Sequence, residues 1–94
     1  ILDVGASNGL LAHKILKKVR VKILGIDVHL PSKTYITIKK YDGKRFPFKE
    51  NSFDCVLFID VLHHSNNSTK LVQEAKRVSK QSIIIKDHTY KTSI

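Results

Sequence analysis

The hydrophobic pattern of this chain changes repeatedly between short apolar runs and segments with helical spacing. The apolar runs predict strands at residues 1–4, 21–27, 35–38, 53–60 and 82–86. Two other segments place apolar residues three or four positions apart, which is typical of amphipathic helices. These are Leu11, Ile15 and Val19 with Ala12 and Leu16 beside them, and Leu71, Val72, Ala75 and Val78. Strands that alternate with helices predict an α/β fold with a parallel sheet and helices on both faces.

The first predicted strand ends in a turn that contains Gly5 and Gly9. Glycine adopts positive φ, or admits a ligand against bare backbone, more readily than any other residue. Ser7 or Asn8 is expected to cap the helix that follows. Because the carboxyl end of a strand meets the start of a helix here, the turn predicts a concave site for a nucleotide-like ligand.

Asp3 lies within the first strand, just before this turn. The spacing Gly5-x-x-x-Gly9 departs from the G-x-G-x-x-G pattern that binds the pyrophosphate of dinucleotides. A carboxylate at this place favours a positively charged ligand over a pyrophosphate. The residues themselves therefore point away from a dinucleotide.

Two more acids follow predicted strands. Asp27 ends the second strand, about 20 residues after the glycine turn, where an acid accepts hydrogen bonds from ribose hydroxyls. The alternative for Asp27 is a carboxylate that caps a turn near Pro31. Val28, which comes next, is expected to contact the adenosine. Asp42 precedes Gly43, and Asp-Gly is a common turn pair, so a ligand role and a simple turn both remain open for it.

The net charge of the chain is +9, from 17 Lys and Arg against 8 Asp and Glu. Such a charge is compatible with a nucleic-acid or anionic-membrane partner. The charges are scattered, however, and few aromatic residues lie among them. We therefore interpret them as a solvated lysine-rich surface and do not favour nucleic acid as the partner.

Cysteine and histidine usage argues against a metal site or disulfides. Cys55 is the single cysteine, so no disulfide or zinc cluster forms within the chain. His63 and His64 are adjacent, and neighbouring residues of a helix point about 100° apart, so they do not face one ion.

The sequence has no signal peptide and no long apolar span, which suits the cytoplasm. It also has no Met and begins within a strand, so we interpret it as part of a longer protein.

Two segments carry a resemblance to a known family. Residues 1–9, Ile-Leu-Asp-Val-Gly-Ala-Ser-Asn-Gly, resemble motif I of the class I S-adenosylmethionine-dependent methyltransferases, h-h-D-h-G-x-G-x-G, with Ser7 in place of the middle glycine. Residues 46–64 resemble the l-P-F-x-x-x-S-F-D-x-V-h-x-x-x-V-L-H-H pattern of the same family, in the group that acts on small molecules and lipids. The fifth strand lacks the family's usual Pro-Gly-Gly, and Ser79-Lys80-Gln81 stands there instead.

The resemblance implies a Rossmann-like sheet of order 3-2-1-4-5, truncated relative to the seven strands of the family. It implies that residues 1–94 form a partial methyltransferase domain that binds S-adenosylmethionine, and that this domain alone is inactive. Asp42 would then contact the adenine amino group, with room left by Gly43. The expected cofactor-binding residues are Asp3, Gly5, Ala6, Ser7, Gly9, Asp27, Val28, Asp42, Gly43 and Asp60.

The expected reaction is an in-line methyl transfer to a small-molecule or lipid acceptor. It requires no covalent intermediate, and a general base is optional. Asp60, His63 and His64 are candidate bases, and His88 is a weaker one.

Two rival functions remain open. The NAD-binding half of a dehydrogenase would have its third glycine at position 10, which is Leu10. A non-catalytic RNA-binding module would explain the charge but not the acids at the strand ends.

Overall fold

The part of the chain that the structure describes folds as a parallel five-stranded sheet with two helices. A computed structural model describes residues 1–59, 61–62 and 67–86. In chain order the elements are β1 (Leu2–Val4), α1 (Leu10–Leu16), β2 (Leu24–Asp27), β3 (Ile38–Lys40), β4 (Phe53–Ile59), α2 (Ser68–Val78) and β5 (Ser79–Lys86).

The strand order is β3-β2-β1-β4-β5, and every pair is parallel. This confirms the predicted fold class and order. β1 lies at the centre, where Val4 pairs with Ile26 on one side and with Phe58 on the other. The carboxyl ends of β1, β2 and β4 therefore meet at one edge of the sheet, called here the carboxyl edge.

The two helices lie on opposite faces of the sheet. The crossover through α1 leads from β1 to β2, and the crossover through α2 leads from β4 to β5 in the opposite direction. Right-handed crossovers in opposite directions place their helices on opposite faces. The α2 face holds the main core, which includes Leu2, Val4, Ile26, Phe46, Val56, Phe58, Leu71, Ala75 and Val78. Burial of these side chains supplies most of the driving force for folding.

β2 begins at Leu24 rather than at residue 21, and two further strands also have different bounds from those predicted. The third strand was expected at 35–38, but β3 runs from Ile38 to Lys40. Tyr35 is held instead by a hydrogen bond from its N–H to the Asn8 carbonyl oxygen (2.8 Å). The fifth strand begins at Ser79 rather than Ser82, because β4 pairs with it from Phe53 onward. Tertiary pairing thus overrides local preference in both places.

The buried face of α1 also differs from the prediction. Leu11 and Val19 are each 48% exposed, whereas Ala12 is fully buried. Ile15 and Leu16 are half-buried, so the face that meets the sheet is Ala12, Ile15 and Leu16. The helix ends at Leu16, which leaves Val19 outside it.

Glu74 is an acid on the buried side of α2, and it is only 4% exposed. Its carboxylate accepts hydrogen bonds from the Phe46 N–H (2.8 Å) and from the Arg77 guanidinium (2.9 Å to each oxygen). Arg77 also donates to the carbonyl oxygens of Phe46 (2.9 Å) and Phe48 (2.7 Å). This network ties the loop before β4 to the end of α2. The hydrogen bonds from Arg77, followed by the Phe46 N–H, outweigh burial and hold the pKa of Glu74 at about 2.

We predict that Glu74→Ala lowers the free energy of unfolding by about 3 kcal/mol, since it leaves a partly buried Arg77 without its anion. Because the pKa of Glu74 lies below its ordinary value of 4.5, its stabilisation is present above that value and is lost as the pH falls toward 2. Denaturant unfolding at several pH values measures both effects. Lys76→Ala, an exposed change on the same helix, is the control. Equal losses in the two variants would contradict a special role for Glu74.

Candidate functional site

The turn after β1 is built from left-handed backbone. Gly5, Ser7 and Gly9 have φ values of 71°, 58° and 80°. Glycine adopts these values without strain, whereas Ser7 adopts its value at some energetic cost. The N–H groups of Gly5 (2.8 Å) and Ala6 (3.1 Å) both donate to the Ile26 carbonyl oxygen. The glycine turn is therefore fastened to the end of the neighbouring strand β2.

Asp27 stands at the end of β2 and joins that strand to the glycine turn. Its Oδ2 accepts the Ser7 N–H (2.8 Å) and its Oδ1 accepts the His29 N–H (3.1 Å). A carboxylate oxygen has two lone pairs, so each oxygen retains capacity for a further donor such as a hydroxyl. Asp27 thus lies at the end of a strand, as predicted, and it also bonds the backbone of the turn that follows, which was the alternative role considered for it.

Asp3 lies in the middle of β1, and only 6% of it is exposed. It pairs with Gly25 of β2 and Leu57 of β4, and so shares with them the sheet face opposite the main core. Burial, and then the charge of Asp27, raise the pKa of Asp3 to about 6. A buried acid with a raised pKa has no cation nearby to stabilise its charge. The region around Asp3 and Asp27 therefore carries negative charge, although the chain as a whole is strongly basic.

Asp42 and Gly43 lie next to the end of β2. The Tyr41 N–H donates to the Asp27 carbonyl oxygen (3.0 Å), and a β-carbon added to Gly43 would lie 3.2 Å from a methyl group of Val28. Asp42 is exposed, and its Oδ1 accepts the N–H groups of Lys44 (2.8 Å) and Arg45 (2.9 Å). These hydrogen bonds lower the pKa of Asp42. Asp42 therefore forms a turn, as the Asp-Gly sequence predicts. This turn lies at the edge of the sheet where a contact with adenine was expected.

Tyr41 is a neighbour of these acids that the sequence analysis did not single out. Burial, followed by the charges of Asp27 and Asp42, raises the pKa of its hydroxyl to about 12. Its ring packs edge-on against Phe46 at a centroid distance of 5.7 Å. Tyr41 thus stays neutral and joins the acidic edge to the main core.

Two side chains that the sequence analysis did not assign to the site close around the glycine turn. A β-carbon added to Gly5 would lie 2.6 Å from Cγ2 of Val61, and one added to Gly9 would lie 2.6 Å from Cγ1 of Ile36. Two reasons for glycine were expected in this turn: positive φ, and the approach of a ligand to bare backbone. Positive φ is confirmed at Gly5 and Gly9. Side chains of the protein occupy the space where their β-carbons would lie. No local pattern marks Ile36 for this contact, since it arises from the route of the chain into β3.

The structure brings most of the predicted residues to the carboxyl edge: Asp3, Gly5, Ala6, Ser7, Gly9, Asp27, Val28, Asp42 and Gly43. Asp60, His63, His64 and His88 lie outside the described residues. Within residues 1–59, 61–62 and 67–86, no three His, Cys, Asp or Glu side chains form a group that could hold a metal ion. No helix in that part of the chain is long and apolar enough to span a membrane.

The fold is that of a Rossmann-like α/β domain, a class in which ligands bind at the carboxyl ends of parallel strands. Residues 2–85 match the family described as "Methyltransferase domain". The chain belongs to this family. The resemblance inferred from the sequence is thereby confirmed.

Two individual proteins are also similar to this chain. Over 80 residues the chain is 32% identical to the uncharacterized protein MJ1123 of Methanocaldococcus jannaschii, a match that covers 85% of this chain and 39% of that protein. The crystal structure of the [4+2]-cyclase SpnF superposes with a TM-score of 0.71 at 21% identity, covering 84% of this chain and 34% of SpnF. The chain thus spans about two-fifths of its relative and a third of SpnF, and the latter similarity concerns the fold.

We predict that Gly5→Ala destabilises the protein by about 2 kcal/mol, through positive φ and the clash with Val61. The double variant Gly5→Ala/Val61→Ala should recover part of that loss, since it removes the clash but not the unfavourable φ. Denaturant unfolding of the single and double variants measures the coupling between the two positions. Additive effects would show that Val61 does not pack on Gly5. Gly43→Ala with Val61→Ala is the matched control, and it should be additive.

Proposed function

We propose that this chain binds S-adenosylmethionine at the carboxyl edge of its sheet and contributes to methyl transfer onto a small-molecule or lipid acceptor. Family membership supports the class of reaction. The fold alone does not select the chemistry, because similar folds serve different reactions. The support for this cofactor comes from the charges at the carboxyl edge.

The observation that carries the proposal is the buried, uncompensated carboxylate of Asp3. Its raised pKa indicates that the charged form is disfavoured until a cation arrives. S-adenosylmethionine carries positive charge on its sulfonium and its amino group, whereas the pyrophosphate of NAD is negative. The edge therefore fits the first ligand better than the second.

The remaining roles follow from position. Asp27 would accept hydrogen bonds from the ribose hydroxyls with the lone pairs that Ser7 and His29 leave unused. The turn from Gly5 to Gly9 would hold the amino-acid end of the ligand near Asp3. Val28 and Gly43 would flank the adenine, with Asp42 at its amino group.

When bound, S-adenosylmethionine supplies a methyl group on a positively charged sulfur, which the acceptor displaces in line. The contribution of the chain is to position the two partners and to exclude water around them. Asp60, His63 and His64 are our proposed candidates for a base where the acceptor needs one, and His88 is a further candidate. Their sequence positions follow β4 and β5, whose carboxyl ends point to the same edge.

Calorimetric titration of the intact protein with S-adenosylhomocysteine, S-adenosylmethionine and NADH tests the proposal. We expect binding of the two sulfur compounds and no detectable binding of NADH. Preferential binding of NADH would overturn the proposal in favour of a dehydrogenase. An assay of methyl transfer from labelled S-adenosylmethionine to small-molecule and lipid fractions then identifies the acceptor class.

We predict that Asp27→Ala weakens S-adenosylmethionine binding by about 1–3 kcal/mol, since hydroxyl donors of the ligand lose their acceptor. The same calorimetric titration measures the change. Asp54→Ala is the matched control, because Asp54 is an exposed acid near the start of β4, at the opposite edge of the sheet. Unchanged affinity in Asp27→Ala would remove Asp27 from the site.

Asp3→Asn should stabilise the protein while it impairs binding. The pKa of Asp3 is raised from 3.8 to about 6, so the folded state holds this proton more tightly than the unfolded state. The stability that the proton supplies is lost as the pH rises from about 4 to 6, and Asp3→Asn should therefore gain about 2–3 kcal/mol at pH 7.

The second part of this test measures how ligand affinity depends on pH. Wild-type affinity for S-adenosylmethionine should fall as the pH drops below about 6 and Asp3 takes up its proton. In Asp3→Asn the affinity should be low and lack this pH dependence. Titrations between pH 5 and 8 check the result, and a variant with wild-type affinity and pH profile would contradict a role for Asp3.

A further inference from the structure

A cavity lies between residues 45–50 and the end of α2. Its volume is about 660 Å³, and Arg45, Lys49 and Arg77 contribute to its lining. Residues 45–50 precede β4 and Arg77 immediately precedes the last residue of α2. The Asn51 N–H donates to the Arg77 carbonyl oxygen (3.0 Å), which joins the two segments. The cavity, called here the basic groove, therefore lies toward the amino ends of β4 and β5.

The wall of the basic groove is fixed in place. The guanidinium of Arg77 makes four hydrogen bonds, two to Glu74 and one each to the carbonyl oxygens of Phe46 and Phe48. A guanidinium has five N–H donors, so nearly all of its capacity is used. Glu74 also balances the charge of Arg77. The groove thus has a preorganised wall that is close to neutral.

Arg45 and Lys49 supply the free charge of the groove. Both are exposed, and within the described ranges neither side chain forms an ion pair or a hydrogen bond. A third cation is close by, since Nζ of Lys39 lies 5.7 Å from the centre of the Phe48 ring. Glu50 is the acid among the lining residues. The groove therefore presents more free positive than negative charge over a rigid wall.

The aromatic rings near the groove are already in use. Phe46 is fully buried, and the Phe48 ring packs edge-on against Phe53 at a centroid distance of 4.8 Å, with Lys39 above it. Neither ring is exposed, so neither is well placed for stacking of a base. Recognition here would depend on charge.

We propose that the basic groove binds the phosphate groups of a nucleotide or an oligonucleotide. The carboxylates of Asp3 and Asp27 lie at the other edge, and Asp42 accepts a hydrogen bond from the Arg45 N–H between the two regions, so the two sites differ in charge and take different ligands. Arg45 and Lys49 contact phosphate oxygens, and the groove reads no base sequence. This site does not depend on the proposed methyl transfer, and its test uses no methyl donor.

The test is binding of a labelled ten-nucleotide single-stranded RNA to the intact protein, followed by fluorescence anisotropy at several salt concentrations. We expect Arg45→Ala/Lys49→Ala to weaken binding roughly tenfold and to reduce the salt slope by about 1–2, as the loss of two phosphate contacts predicts. Glu50→Gln should strengthen binding. Lys14→Ala/Lys17→Ala removes the same charge from the exposed side of α1 and its end, and it is the matched control.

Competition with ATP separates the two sources of phosphate. Displacement of the RNA by ATP indicates a nucleotide site, and resistance to ATP indicates recognition of an oligonucleotide backbone; both support the groove. The proposal is overturned if the control double variant weakens binding as much as the groove variant does, since the attraction is then diffuse. It is also overturned if neither RNA nor ATP binds. Circular dichroism and thermal unfolding verify that the variants are folded.

Discussion

The parallel pairing of β1 with strands on both of its sides is the constraint on which the rest of this structure depends. Leu2 and Val4 are fully buried, and the register of β1 with β2 and β4 brings three carboxyl ends to one edge. The glycine turn can then donate two N–H groups to Ile26 and one to Asp27. The arrangement of the carboxyl edge is thus a consequence of strand register and of the left-handed backbone of the glycine turn, and not of any one side chain.

The carboxyl edge carries a conflict between stability and binding. Asp3 is buried where its charge is disfavoured, a feature that a fold optimised for stability alone would replace with an apolar or amide side chain. Glu74 is at least as buried, yet its charge is paired with Arg77. One buried acid therefore holds the fold together, and the other marks the place where a cationic ligand would supply the missing partner.

Charge is distributed unevenly over a chain whose net charge is +9. The acids at the carboxyl edge and the free cations of the basic groove lie toward opposite ends of the strands. The first region is the proposed cofactor site. The similarity to SpnF, a [4+2]-cyclase, concerns architecture at 21% identity, and it illustrates that the fold supports more than one chemistry. The charges of each region, and not the fold, therefore guide the assignment of ligands.

The sequence alone determined the fold class, because alternating strands and helices leave strong local patterns, and its resemblance to a known family implied the strand order and the motif residues. The tertiary structure decided what depends on distant neighbours. Tyr35 and Ile36 look like a strand but pack on the glycine turn, since their partners are Asn8 and Gly9. Helical spacing places Glu74 beside Leu71 and Val78 on the buried side of α2, but only the structure shows that the Phe46 N–H and Arg77 pair with its carboxylate. Local periodicity records which face is apolar, and it holds no information about which distant backbone groups need a partner.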